Sequence, residues 1–311
     1  MRILVTGAEG FVGGLLTASL RGDGHEVFAL SRRGSQGMLE GDLTDPQAVG
    51  RAVKVSAPDQ VFHLAAQASA ARSWTEPALT YEVNVTGTHL LLEELRKTAP
   101  AARVLLACTS DEYGAVAPED CPIDEDTPLR PLSPYAVSKV AEEWLGRMFF
   151  SAFGMAVVAT RAFMHIGPGQ PPRFATADWA RRIALAEAGK AAPVITTGNL
   201  ALRRELGDAR DVVAAYRAAL DYGSAGEAYN VATGEAPTLE EALLLLTSMS
   251  ETEFSIEIDP ARIRPADPPI LQGDASKLEH VTGWAPKHRL EDTLAEVLDY
   301  WRQRVREGVE G

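Results

Sequence analysis

Apolar residues in this chain alternate between two spacings. Short apolar runs bounded by polar or turn residues occur at Arg2–Thr6, Glu26–Leu30, Gln60–His63, Arg103–Ala107 and Met155–Thr160. Runs of this length and setting read as buried parallel strands. Between them, apolar positions recur at helical spacing from about Phe11 to Arg21, over Ala78–Thr98 and over Tyr135–Phe153, where Pro134 suits a first helical turn. Strand and helix in alternation predict an α/β fold, a Rossmann-like doubly wound parallel sheet.

The pattern changes after Arg161. The proline-rich Gly167–Pro172 stretch reads as a loop. Beyond it the expected elements are a helix near Ala175–Ala188, strands near Val194 and Arg204, a helix over Asp208–Tyr222, a strand over Glu227–Val231, and helices near Leu239–Met249 and Leu290–Arg306. The expected organisation is a cofactor-binding domain over 1–162, its sheet completed by segments around 208–235. Residues 163–311 form mainly a smaller, interleaved C-terminal α/β substrate domain.

Chemistry enters at two places. Gly7, Gly10 and Gly13 follow the first strand and open the first helix, the context in which a glycine-rich turn admits a pyrophosphate onto a helix N-terminus. Phe11 and Val12 complete that turn. Farther on, Tyr135 and Lys139 stand four apart on a helix, with Thr109 and Ser110 upstream. Residues four apart share a face. An ammonium near a phenol lowers its pKa from about 10, so Tyr135 could exchange a proton with a carbinol or carbonyl oxygen that Thr109 or Ser110 holds.

The end of the second strand, Ala29-Leu30-Ser31-Arg32-Arg33, offers guanidiniums and no carboxylate. An NAD enzyme usually places a carboxylate there for the ribose 2′-hydroxyl. Arginine suits a 2′-phosphate, so NADP(H) is expected, with NAD(H) as the alternative. Asp42 is expected to accept from the adenine amino group while Leu43 packs on the ring. The small residues of Leu64-Ala65-Ala66 would let the backbone approach the cofactor.

These motifs, Thr6–Gly13, Asp42-Leu43, His63–Gln67, Cys108–Gly114 and Tyr135–Lys139, resemble those of the extended short-chain dehydrogenase/reductases. The resemblance covers essentially the whole chain. It implies a Thr109–Tyr135–Lys139 catalytic set in which Lys139 also binds the ribose. The C-terminal half resembles GDP-mannose 4,6-dehydratases and, more closely, GDP-4-keto-6-deoxy-mannose reductases. The segments that carry this likeness are Phe163–Gln170, Gly198–Leu200, Arg204, Asp208–Asp211 and Arg264–Asp267. A GDP-sugar substrate follows, with Gln170, Asn199, Arg204 and Arg264 implied at its site.

Three departures bear on the reaction. Only Gly34–Glu40 separates Arg33 from Gly41, where dehydratases carry a long arginine-rich insertion. Asp111, with Glu112 beside it, stands where dehydratases place the glutamate that takes the C5 proton. Met164 replaces the family's asparagine. The expected activity is NADPH-dependent reduction of the C4 ketone of a GDP-4-keto-6-deoxy-hexose. The alternatives are a dehydratase using Asp111 or Glu112, a nucleotide-sugar 4-epimerase, and a non-catalytic NADP-sensing protein.

Composition narrows the partners. The 311 residues carry a net charge of -13 and a pI near 5.0, unlike a nucleic-acid binder. No apolar run approaches the ~20 residues of a membrane span, and the first glycine turn arrives too early for a signal peptide, so a cytoplasmic protein is expected. Cys108 and Cys121 form no Cys-x-x-Cys or His/Cys cluster, and no metal is expected. Leu90, Leu91, Leu92 and Leu95 on one helix and Trp144, Leu145, Met148, Phe149 and Phe150 on another exceed a single apolar face. They predict a homodimer through a four-helix contact.

Overall fold

A computed structural model describes residues 1–32, 34, 37–263 and 267–309. Seven parallel strands form its central sheet: β1 (Arg2–Thr6), β2 (Glu26–Ser31), β3 (Leu39–Glu40), β4 (Gln60–His63), β5 (Arg103–Thr109), β6 (Val157–Ala162) and, after a long excursion, Ala228–Val231. Their spatial order is β3-β2-β1-β4-β5-β6, with Ala228–Val231 at the far edge. The order reverses between β1 and β4, where Thr6 pairs with His63. Ligands of doubly wound sheets bind beyond the C-terminal strand ends at such a reversal.

Both faces of the sheet are covered. Helix α1 (Phe11–Gly22) packs one face together with Ala209–Tyr222, burying Leu16, Leu20, Val212 and Tyr216. On the other face lie α2 (Pro46–Ser56), Gly87–Thr98 and Pro134–Phe153, which bury Val49, Leu91, Leu95 and Phe149. Four pieces lead from β4 to β5: α3 (Ala70–Thr75), α4 (Pro77–Tyr81), a π-helical turn at Glu82–Thr86, and α5 (Gly87–Thr98). The helix expected over Ala78–Thr98 is thus present but wound more loosely in its middle. Helix α6 (Pro134–Phe153) starts on Ser133, whose hydroxyl accepts from the Ala136 N–H, and stops at Gly154, which has a positive φ of 70°.

After β6 come β7 (His165–Ile166), α7 (Ala175–Glu187), β8 (Val194–Thr197), β9 (Arg203–Arg204), β10 (Gly207–Asp208), α8 (Ala209–Tyr222) and β11 (Ala228–Val231). The chain ends with α9 (Leu239–Ser248), β12 (Ser255–Ile258), β13 (Ile270–Leu271), α10 (Ser276–Thr282) and α11 (Leu290–Arg306). Helices α7, α9 and α11 build a separate apolar cluster around Trp179, Leu243, Leu298 and Trp301. Three parallel two-strand pairs, β7–β10, β8–β12 and β9–β13, join this part together.

Candidate active site

The glycine turn is shaped for close approach. Gly7 has φ 72°, and a Cβ there would lie 2.7 Å from the Ala65 nitrogen. A Cβ on Gly13 would collide with the Gly7 carbonyl oxygen. These contacts hold the end of β1, the start of α1 and the loop after β4 against one another. The first turn of α1 has no side-chain cap, so its amides remain available to an anion. A groove of ≈ 470 Å³ opens over this turn, lined by Gly10, Phe11, Gly14, Pro168, Gly169 and Arg173. An uncapped helix start, a turn that excludes a Cβ and a neighbouring guanidinium fit a dinucleotide diphosphate.

The other cofactor residues divide. Arg32 is exposed at the end of β2, and Arg33 lies outside the described residues. Asp42 accepts from the Thr44 amide and hydroxyl through Oδ1. Leu43 differs from the expectation: it is 6% exposed and packs in the core with Leu30 and Leu91. It lies against Gly87 at the start of α5 and, as placed, leaves little surface for an adenine ring. Leu64, Ala65 and Ala66 are half-buried, and the Ala65 N–H donates to the Thr6 hydroxyl at 3.2 Å.

Thr109 ends β5, and its hydroxyl accepts from the Asp111 N–H at 3.3 Å. Glu112 reaches back to accept from the Thr109 N–H at 3.2 Å, completing a capping box. Its carboxyl is fully buried, with Arg161 at 3.8 Å. Glu112 therefore faces the interior. Burial and the neighbouring Glu143 push its carboxyl well above the usual range. Asp111 is half-buried. Arg161 binds Glu143 through two bonds of 2.8 Å and donates to the Tyr113 hydroxyl at 2.9 Å. Cys108, Glu112 and Glu143 bring ligand-type atoms within 4.8 Å of one another. The Arg161 guanidinium already supplies the positive charge there.

Tyr135 and Lys139 occupy the first turns of α6. The Thr109 side chain lies close enough to the Tyr135 phenol to pull its pKa down in part. Lys139 is 2% exposed and donates from Nζ to the Ala107 carbonyl at 2.7 Å and to Glu142 Oε2 at 2.8 Å. The sequence reading expects Lys139 to lower the Tyr135 pKa. Instead, loss of water around the phenol, followed by the charges of Asp111 and Glu142, pushes it well above its ordinary value. Desolvation of the phenol dominates, while the Lys139 ammonium is held by the Ala107 carbonyl and Glu142. Burial drives the Glu142 carboxyl up to about 7 against the pull of Lys139.

A polar chain supports this arrangement, and most of it was not among the sequence candidates. Thr88 donates to the Asn84 carbonyl at 2.6 Å, so its oxygen must accept from His63 Nε2 at 2.9 Å. His63 Nδ1 then accepts from Thr6 at 2.8 Å. Burial, then the Lys139 charge, lower the His63 pKa to about 3, which keeps the ring neutral. Asn84, in the π-helical turn, accepts from the Gln67 N–H at 2.7 Å and donates to Ser138 at 2.8 Å. Ser138 in turn donates to the Tyr135 carbonyl at 2.6 Å. A polar asparagine inside a run with helical apolar spacing was the only sequence signal of this contact.

The expected substrate residues are less uniform. Gln170 is buried; its amide donates to the His165 carbonyl at 2.9 Å, and its oxygen accepts from Thr176. It holds the loop and, as placed, presents nothing to the groove. Asn199 is exposed and accepts from the Ala201 N–H. Arg204 is 7% exposed and donates to the Arg203 carbonyl at 2.8 Å. Arg264 lies outside the described residues. Met164 is 40% exposed.

The model of the family described as GDP-mannose 4,6 dehydratase matches residues 4–297. The GDP-6-deoxy-D-mannose reductase of Pseudomonas aeruginosa is 36% identical over 98% of this chain and 99% of its own. GDP-mannose 4,6 dehydratase 2 of Arabidopsis thaliana is 33% identical over 95% and 85%. Among solved structures, RMD from Pseudomonas aeruginosa complexed with NADPH superposes with a TM-score of 0.90 at 33% identity, covering 98% of this chain and 100% of that one. A UDP-glucose 4-epimerase from Thermus thermophilus, in complex with NAD, gives 0.87 at 30%, covering 97% and 99%. Matched over nearly its whole length, the chain belongs to the GDP-mannose 4,6 dehydratase family.

Proposed function

We propose that this chain is an NADPH-dependent reductase of the C4 ketone of a GDP-4-keto-6-deoxy-hexose, acting as a homodimer in the cytoplasm. The observation that carries this reading is end-to-end identity of 36% with a GDP-6-deoxy-D-mannose reductase, in a chain that keeps Thr109 at the C-terminal end of β5 and Tyr135 and Lys139 on the first turns of α6. NADPH, when bound, supplies the hydride. Gly7, Gly10, Phe11, Val12 and Gly13 would hold its diphosphate, Arg32 its 2′-phosphate, and Lys139 its nicotinamide ribose.

The protein's own task is the proton. Thr109 holds the ketone oxygen through a hydrogen bond, and Tyr135 donates its phenolic proton to that oxygen as negative charge develops. Asn84 and Ser138 fix the start of α6 and with it Tyr135. Arg204 and Arg264 are assigned to the diphosphate or sugar hydroxyls of the substrate, and Asn199 to the same end of the site.

One observation favours a second reading. Asp111 remains near Tyr135, where a dehydratase would use a carboxylate to remove the C5 proton. Two incubations decide between them: the 4-keto-6-deoxy sugar nucleotide with NADPH, and GDP-mannose with NADP⁺. The reductase reading expects rapid consumption in the first and little keto product in the second. Efficient elimination from GDP-mannose, abolished by Asp111→Asn, would give the site to the dehydratase.

A further inference from the structure

One buried group below the site has no part in the proton transfer just described. Glu142 lies one turn beyond Lys139 on α6 and is fully enclosed. Its Oε2 accepts from Lys139 Nζ at 2.8 Å, while Oε1 has no hydrogen-bond partner among the described residues. The same ammonium donates to the Ala107 carbonyl at 2.7 Å. Two of its three protons are thus committed to groups other than Tyr135.

An enclosed ammonium held against a carboxylate acts on its surroundings as a nearly neutral pair. The groups facing the pair come from every neighbouring element. Tyr135 lies on α6 and Cys108 on β5; Asp111, whose charge also holds the Tyr135 phenol up, and Glu112 follow β5. Glu143 adjoins on α6, His63 ends β4, and Tyr216 faces Lys139 from α8. His63 stays neutral, and burial pushes the Cys108 thiol and the Tyr216 phenol up. Glu143 and Glu112 lie toward Arg161. Glu142 therefore bears directly on how Lys139 acts at Tyr135.

We propose that Glu142 is a positioning residue that sets how much of the Lys139 charge reaches Tyr135: as a carboxylate it neutralises the ammonium, and as a carboxylic acid it releases that charge to the phenol. The inference rests on the reading of Tyr135 as proton donor. When Tyr135 gives its proton to the substrate oxygen it is left as phenolate, which recovers a proton from water. An unneutralised ammonium stabilises that phenolate. Burial that lifts Glu142 to about 7 places the change within the neutral range.

The test follows Tyr135 ionisation by phenolate difference absorbance in the full chain, each background blanked with its own Tyr135→Phe version. Glu142→Gln keeps the shape and an acceptor oxygen but cannot carry charge. It should lower the pH of Tyr135 ionisation by about one unit or more, and the alkaline limb of kcat/KM for reduction should move down with it. Glu142→Asp has a carboxylate one methylene shorter, which loosens the pair. It should shift the ionisation in the same direction by a smaller step, and it decides the matter if the Gln variant does not fold. An unmoved Tyr135 ionisation in a folded variant, even one of reduced thermal stability, overturns the proposal. The titration uses no sugar. A chain that fails to reduce the keto-sugar refutes the reductase reading alone, and an unmoved phenolate refutes this inference alone.

Discussion

At the scale of single residues, position in the chain and direction of the side chain are separate facts. Tyr135→Phe keeps the ring and removes the proton. Turnover with the keto-sugar is expected to fall about 10²–10⁴-fold while NADPH binding is retained; near-wild-type turnover would refute the proton-donor role. Arg32→Ala should weaken NADPH far more than NADH, because only the former carries a 2′-phosphate. Equal weakening by fluorescence titration would show that Arg32 reads no phosphate. Residue types were legible where a motif fixes both identity and spacing, as for Gly7, Gly13, Tyr135 and Lys139. In loops no period dictates orientation, and side chains there point away from the contacts expected of them. Leu43 turns into the core and Gln170 into its own loop, and Glu112 turns back onto the Thr109 amide. Asp111 and Glu112 are adjacent carboxylates, and only the 3₁₀ turn that follows β5 separates their directions.

At the scale of elements, the long apolar runs announced themselves because a strand buried on both faces leaves no polar position to blur it. Gln60–His63 and Leu290–Arg306 appear with the expected bounds. Helix α2 went unread although Ala48, Val49, Ala52 and Val53 share its buried face at helical spacing; two of the four are alanines, which mark an apolar stripe weakly. The two-residue strands β3, β9 and β13 are too short to show any period, and β12 is exposed along its whole length. The π-helical turn between α4 and α5 carries Asn84, whose tertiary bonds spacing cannot display. His63 ties β4 to β1 and α5 through Thr6 and Thr88, and it yields a prediction about stability. The folded ring charges only near pH 3, the unfolded one near 6.5. Between those values the unfolded chain binds the extra proton, so stability is full above 6.5 and is lost as pH falls. The loss is about 1.4 kcal/mol for each unit crossed. Urea midpoints at pH 6.5 and pH 4.5 should differ less in His63→Gln, which cannot charge, than in wild type. An equal difference in the two would show that His63 is not the group lost.

At the scale of the whole molecule, the question is what covers the outer face of α6. The sequence assigned the surplus apolar residues to two helices. Leu91, Leu92 and Leu95 of α5 are sealed inside this chain, as is Phe149 of α6. What stays uncovered is a stripe on α6 itself, with Val137 at 42%, Trp144 at 59% and Met148 at 42% exposed. These positions are spaced seven and four apart, and so share one helical face. Phe150 and Phe153, at 39% and 52% exposed, lie off this face: Phe150 packs against Gly226, and Phe153 against Phe149 and Arg96 of α5. Scattered exposed apolar side chains are ordinary, but a continuous stripe marks an interaction surface. The same stripe on a second copy is self-complementary, which a two-fold axis requires. The face is opposite the sheet, so pairing through it leaves the glycine-turn groove open. Light scattering at micromolar concentration should give about twice the 33.4 kDa chain mass. Replacing both Trp144 and Met148 by Glu would bury like charges across the axis, and should return the chain to monomer mass with its far-ultraviolet dichroism unchanged. A wild-type chain that is already monomeric at that concentration would remove α6 from consideration as a dimer face. It would also count against the homodimer, while leaving the assignment of the proton donor to be judged by Tyr135→Phe alone.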